Sequence, residues 1–166
     1  MHNELTQKDI DDMKKEIEHR KLVERPRLLE EVKETRAHGD LSENFEYHAA
    51  KREKNKNESR IRYLERMIKT AVVLEDHTNA DEAGINKTVT VEFVDDGSVE
   101  TYKLVTTVRG NSLEGLISTE SPVGKALIGH KVGETVHVQV NPNVGYNLLI
   151  KKIEDLGDNE DKLRSF

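Results

Sequence analysis

Tyr47, Ala50, Lys54, Asn57, Ile61, Leu64, Ile68 and Ala71 recur at alternating intervals of three and four, and no Gly or Pro interrupts residues 43–71. That period belongs to a helix burying one seam against another helix. About 28 helical residues, each rising about 1.5 Å, extend on the order of 40 Å. Lys54 and Asn57 are polar at seam positions, where they weaken packing and help to fix register. The partner helix lies upstream. Ile10, Met13 and Ile17 have helical spacing, with Thr6 as the N-cap and Asp9 in the first turn, and Leu29 and Val32 resume the pattern out of step. Pro26 predicts a break or kink near 23–26, because it lacks an N–H and clashes with the preceding turn. Gly39 is the expected turn between the two arms, since glycine alone enters φ > 0 without steric cost. Residues 1–74 therefore predict an antiparallel coiled-coil helical hairpin.

The tip of that hairpin carries Asp40, Glu43 and Glu46 at intervals of three, which brings them together at a helix start. Directly behind them, residues 51–69 hold Lys51, Arg52, Lys54, Lys56, Arg60, Arg62, Arg66 and Lys69 against Glu53, Glu58 and Glu65. The whole chain has a net charge of −6, but the charge is uneven. Residues 1–71 carry 17 basic and 16 acidic side chains, leaving 9 and 16 of the chain's 26 and 32 for residues 72–166. A solvated helix face accounts for the basic stretch, and a track for a phosphate backbone is the sharper reading. Asp40-x-x-Glu43 likewise has a plain reading as a capping pattern stabilised by the helix dipole. Tyr47 opens the seam and is expected to pack, whereas Phe45 is a large apolar side chain at a polar tip, open to contact with a partner or RNA.

Residues 75–87 lack periodicity and read as a linker. From residue 88 the period becomes two. Val89, Val91 and Phe93 alternate with polar neighbours, Asp96-Gly97 makes a hairpin turn, and Val99 to Val105 returns. Leu113 to Ile117 reads as a third strand, Ser121-Pro122 as the N-cap and first residue of a short helix closed by Gly129, and Val136 to Val140 and Leu148 to Ile153 as the last strands. The expected domain at 88–155 is a small antiparallel sheet with one short helix, followed by a polar, frayed tail at 156–166. The fold class is α+β.

With no Cys, disulfides and thiolate metal sites are excluded. No apolar run is long enough for a membrane span and no signal-peptide core is present, so a cytoplasmic protein without a membrane partner is expected. The seven His residues show no ligand spacing. No nucleophile–base constellation or glycine-rich phosphate loop stands out, and an independent active site is not expected.

The stretch Ala37 to Lys51, AHGDLSENFEYHAAK, resembles the tip of bacterial GreA/GreB-type transcript cleavage factors, nearer the GreA branch. The resemblance continues through Arg66-Met67-Ile68 and returns at Ile117-Ser118 and from Ser121-Pro122 to Leu127-Ile128-Gly129. It implies an FKBP-like C-terminal domain that docks at the rim of the RNA polymerase secondary channel, with the coiled coil inserted toward the active centre. Asp40 and Glu43 match the two tip acids that help the polymerase cleave its own backtracked RNA. They would assist catalysis by helping to hold a second Mg²⁺, which belongs to the polymerase complex and is not expected in the isolated protein. Arg36, Lys51 and Arg52 match or neighbour the basic patch facing the RNA 3′ segment, and Ser121 and Pro122 match the docking loop. The implied protein is a monomer and not itself the nuclease. Ser42 replaces a basic residue common in the family, and residues 141–146 and the tail depart from its pattern. Three other readings are an inhibitory secondary-channel homologue, a structural coiled-coil adaptor, and a peptidyl-prolyl isomerase. The last would need an aromatic-lined pocket, for which the C-terminal half offers Phe93, Tyr102, Tyr146 and Phe166.

Overall fold

In a computed structural model, residues 3–39, 43–156 and 161–165 are described, and the chain divides into two compact units, the first ending at Val73. The first unit opens with β1 (Asn3–Leu5) and α1 (Gln7–His19). Thr6 caps α1 with a full capping box: its hydroxyl accepts from Asp9 N–H at 3.1 Å and its own N–H donates to the Asp9 carboxylate at 2.9 Å. A π turn, Arg20–Glu24, leads without interruption into α2 (Arg25–Arg36). The expected break at Pro26 is thus absorbed rather than made. The Arg25 N–H reaches back five residues to Arg20 O, so the helix widens where proline can offer no N–H.

The widening also shifts the seam. Continuing the spacing of Ile10, Met13 and Ile17 would bury positions 27, 31 and 34. The extra residue in the turn moves the seam to Leu28, which is buried, and to Val32 and Thr35, which are half-buried. Leu28 is buried and Leu29 is exposed, which corrects the expectation for Leu29. The return helix α3 (Phe45–Lys69) buries Tyr47, Ala50, Asn57, Ile61 and Leu64 as its period predicts, and spans about 37 Å. It also buries Arg60, whose guanidinium bonds Glu16 at 2.7 and 3.3 Å. Asn57 accepts from Arg20 at 2.9 Å and donates to the Arg20 carbonyl at 3.3 Å, so the polar layer of the seam sits on the π turn. After α3, β2 (Ala71–Val73) pairs in parallel with β1, a ribbon the sequence reading did not foresee.

The second unit is built on a five-stranded sheet of order β5-β4-β3-β7-β6, with β3 (Thr88–Phe93), β4 (Val99–Val105), β5 (Leu116–Ser118), β6 (Thr135–Asn141) and β7 (Val144–Glu154). Its core is Ala83, Val89, Val91, Leu104, Leu127, Val136, Val138, Leu148 and Ile150, with the short helix α4 (Pro122–Leu127) contributing Leu127. The domain is α+β with one short helix, as expected, but the sheet is not wholly antiparallel. β5 pairs in parallel with β4. The third strand also starts later than expected, because Asn111 accepts from Leu113 N–H and turns Ser112–Glu114 into a 3₁₀ loop that leaves Leu113 97% exposed. Residues 141–146, where the family resemblance lapses, are the end of β6, the two-residue turn 142–143 and the start of β7.

Two further features were unforeseen. Ala83 is wholly buried in the core, and buried Lys87 ties residues 78–82 together by donating to Asn79 O at 2.7 Å and Glu82 O at 2.9 Å. The tail, expected to fray from 157, returns to the sheet at 161–165. Lys103 pairs with Asp161 at 2.8 Å, Arg109 donates to the Asp161 carbonyl, and Arg164 N–H donates to Val108 O. Gly124 on α4 is a close-packing position: a Cβ there would fall inside contact distance of Ser118 O and 2.9 Å from Thr119 Cα, both backbone. Gly124→Ala is therefore expected to destabilise the sheet unit by about 1–3 kcal/mol, seen as a lowered thermal midpoint for its unfolding step.

Candidate functional site at the hairpin tip

The tip is assembled by helix termini. α2 ends through Ala37 and His38, whose N–H groups return to Glu34 O and Thr35 O, and Gly39 turns the chain with φ of 120°. Asp40, Leu41 and Ser42 lie outside the described residues, so the expectation for Asp40 has no geometry here. Glu43 follows as an exposed turn residue. It precedes the helix rather than sitting in its first turn, because Asn44 is the N-cap of α3. That corrects the expected helix start and removes Glu43 from a helix-internal capping position.

Asn44 was missed in the sequence and is the residue that organises the tip. Its Oδ1 accepts from Tyr47 N–H at 3.0 Å, while its Nδ2 donates to Thr35 O at 2.6 Å. One side chain thus caps α3 and ties it to the end of α2. The signal was present, since Asn is a favoured cap, but Asp40 and Glu43 offered a rival start. Asn44→Ala should fray the first turn of α3 at a cost of about 1–2 kcal/mol. Faster amide exchange at Tyr47, with the base of the hairpin still protected, is the readout.

Around the cap, His38 Nδ1 lies 3.3 Å from Glu46 Oε2, both exposed. The Arg36 guanidinium lies over the Tyr47 ring, 5.6 Å from its centroid, and donates to the phenol oxygen, which holds that phenol below its ordinary value. Arg36 therefore packs at the tip as well as carrying charge. Lys51 and Arg52 are exposed two helical turns along α3, about 9 Å up the axis from Phe45. The Phe45 ring itself is 84% exposed.

Among the described residues no group of three or more His, Asp or Glu could hold a metal ion. Glu43 is an exposed oxygen donor of the kind Mg²⁺ takes, but one or two carboxylates make only part of a Mg²⁺ shell, the remainder coming from water and phosphate. Glu43 would fit as one oxygen donor of such a shell.

In the sheet unit, Ser121 caps α4, accepting from Gly124 N–H at 3.0 Å and donating to Ser118 O at 2.7 Å, and Pro122 is its exposed first residue. Ser121 also borders a cleft lined by Ile117, Ser118, Asp161 and Arg164. Phe93, Tyr102 and Tyr146 pack against the core, with the Phe93 and Tyr146 rings 5.4 Å apart, and Phe166 lies outside the described residues. No helix among the described residues is long and apolar enough to cross a membrane.

A family profile described as transcription elongation factor, N-terminal, matches residues 3–73, and one described as transcription elongation factor, GreA/GreB, C-term, matches residues 77–155. The chain belongs to the GreA/GreB family of transcription elongation factors. Transcription elongation factor GreA of Macrococcus caseolyticus is 43% identical over 150 residues, covering 90% of this chain and 94% of the relative. The GreA of Geobacillus kaustophilus is 41% identical over 148 residues, covering 89% and 92%. The crystal structure of GreA factor homolog 1 (Gfh1) of Thermus thermophilus aligns with a TM-score of 0.43 at 25% identity, over 93% of this chain and 99% of that one. This Gre-family chain thus pairs a helical hairpin with a curled β unit, and the residues of its tip carry the question of mechanism.

Proposed function

We propose that this elongation factor enters the secondary channel of RNA polymerase and stimulates the polymerase's own cleavage of backtracked RNA, with Asp40 and Glu43 completing the active centre. The observation that supports it is an exposed carboxylate, Glu43, held against an Asn44 cap at the far end of a hairpin whose return arm runs about 37 Å. A stiff arm of that length carries the tip well away from its base.

Phosphodiester hydrolysis by two metals uses one ion to activate water and another to stabilise the leaving oxygen. Asp40 and Glu43 would hold the second Mg²⁺ jointly with polymerase carboxylates and RNA phosphate. A free carboxylate oxygen on Glu43 would accept a hydrogen bond from the attacking water and fix its approach. Arg36, Lys51 and Arg52 would attract the phosphates of the extruded 3′ segment, and Ser121 and Pro122 would meet the channel rim. The partners are therefore core polymerase and RNA, and the protein is an accessory rather than a nuclease.

The test is a backtracked elongation complex with labelled RNA, cognate core polymerase and Mg²⁺. Release of short 3′ fragments on adding the protein is expected. Binding without stimulated cleavage would overturn the reading and leave a factor that occupies the channel and inhibits. No binding would leave a coiled coil acting elsewhere.

A further inference from the structure

Among the described residues of its own unit, nothing covers Phe45. It is the first residue of α3 and is 84% exposed, while the backbone around it is fixed by the Asn44 cap and by His48 N–H bonding Asn44 O at 3.1 Å. An exposed phenylalanine forfeits the burial that makes the residue stabilising, and it supplies nothing to a cap. The backbone that carries the ring is nevertheless set by a capped helix end.

Its surroundings narrow what would cover it. Phe45 shares an open depression with His38, Glu43, Asn44 and Glu46, so among the described residues its neighbours there are polar. An anchor for a protein pocket is surrounded by further contacts that exclude water. A lone ring among polar groups is instead the arrangement on which an unpaired base stacks, since any base offers a flat face. The carboxylates of Glu43 and Glu46 suit the N–H edges of a base and repel phosphate, whereas phosphates have Lys51 and Arg52 to follow about 9 Å along the helix. The charge pattern thus separates a place for a base from a place for its backbone.

We propose that the Phe45 ring stacks on an unpaired base of the RNA 3′ segment, making Phe45 a positioning residue that holds the RNA end beside the tip carboxylates. This rests on the reading of the tip given above. Because stacking strength scales with the face of the base, the factor should favour purines over pyrimidines at the contacted nucleotide.

A backtracked complex is assembled on synthetic RNA carrying 2-aminopurine in the extruded segment, and the protein is added in an Asp40→Ala, Glu43→Ala background so that the RNA stays uncut. Quenching of the 2-aminopurine is expected, lost in the additional Phe45→Ala variant and retained in Phe45→Trp. In the cleavage-competent protein, Phe45→Ala should lower stimulation at sub-saturating factor by about 5- to 100-fold. That deficit should vanish when the contacted nucleotide is abasic. Quenching unchanged by Phe45→Ala would overturn the proposal. So would a cleavage defect that persists on abasic RNA or is rescued by Phe45→Leu, since either means an apolar contact with polymerase. If the wild-type tip binds without stimulating cleavage, the proposed function falls, and the quenching measurement still decides the role of Phe45.

Discussion

Asp40→Ala combined with Glu43→Ala is expected to reduce stimulated RNA cleavage by roughly 10²–10³-fold at saturating factor, because held metal and oriented water are worth several kcal/mol and each 1.36 kcal/mol is tenfold. Affinity for polymerase should change by no more than about twofold, since the carboxylates are assigned to chemistry and docking to the sheet unit. Glu43 is exposed and outside the helix, and the tie between the two arms belongs to Asn44, so removing the Glu43 carboxylate leaves that tie in place. Cleavage in a backtracked complex and a parallel binding titration separate the two quantities. A matching loss of binding would assign the carboxylates to docking instead of chemistry.

Arg60→Ala should destabilise the hairpin unit by about 2–3 kcal/mol. Breaking a buried pair by removing one partner strands the other, and the lower end of the usual range applies because Glu16 keeps some water. The Arg60 side chain is 7% exposed and that of Glu16 is 24% exposed. Arg60→Met with Glu16→Leu should recover most of the loss. The same pair fixes a pH dependence. Burial pushes the Glu16 carboxyl up, but hydrogen bonds from Arg60 and Arg20 and their charges outweigh it and hold it below its ordinary value of 4.5. A carboxyl depressed in the folded state contributes fully above its ordinary value and loses that contribution as pH falls from there through the folded value. Urea melts followed by helical circular dichroism should show a wide gap between wild type and Arg60→Ala at neutral pH. The gap should close as pH falls from 4.5 through the lower folded value of Glu16.

The positions along α3 were legible because a seam of three and four repeats over 25 residues leaves little freedom: Tyr47, Ala50, Asn57, Ile61 and Leu64 are all buried. Arg60 was not, since a charged side chain one residue from the seam looks the same whether it reaches water or a buried Glu16. The same blindness hid Lys87, whose partners are two backbone carbonyls and the Thr78 hydroxyl and carry no sequence signature. Leu28 was mistaken for Leu29 because both are leucines at helical spacing from Val32, four and three residues before it, and only the offset introduced by the π turn selects between them. Val89, Val91, Val136 and Val138 were clear from alternation, while the β4–β5 pairing rests on three residues, too few for a period to register. At the tip, Asp40 and Glu43 stood out through family likeness more than through physics, and the cap that shapes the tip fell to Asn44.

The single surplus residue in Arg20–Glu24 is, in angular terms, an offset. One residue is about 100° of helical rotation, so everything beyond the π turn faces a different azimuth from the one an uninterrupted helix would give it. The outer half of the first arm, Arg36 included, is thereby aimed by a count of residues some way from the tip. Substitutions along this stretch change side chains and leave that aim intact. Gaining or losing one residue within it rotates the outer arm as a block, so the length of this segment, more than its composition, is what the working tip constrains.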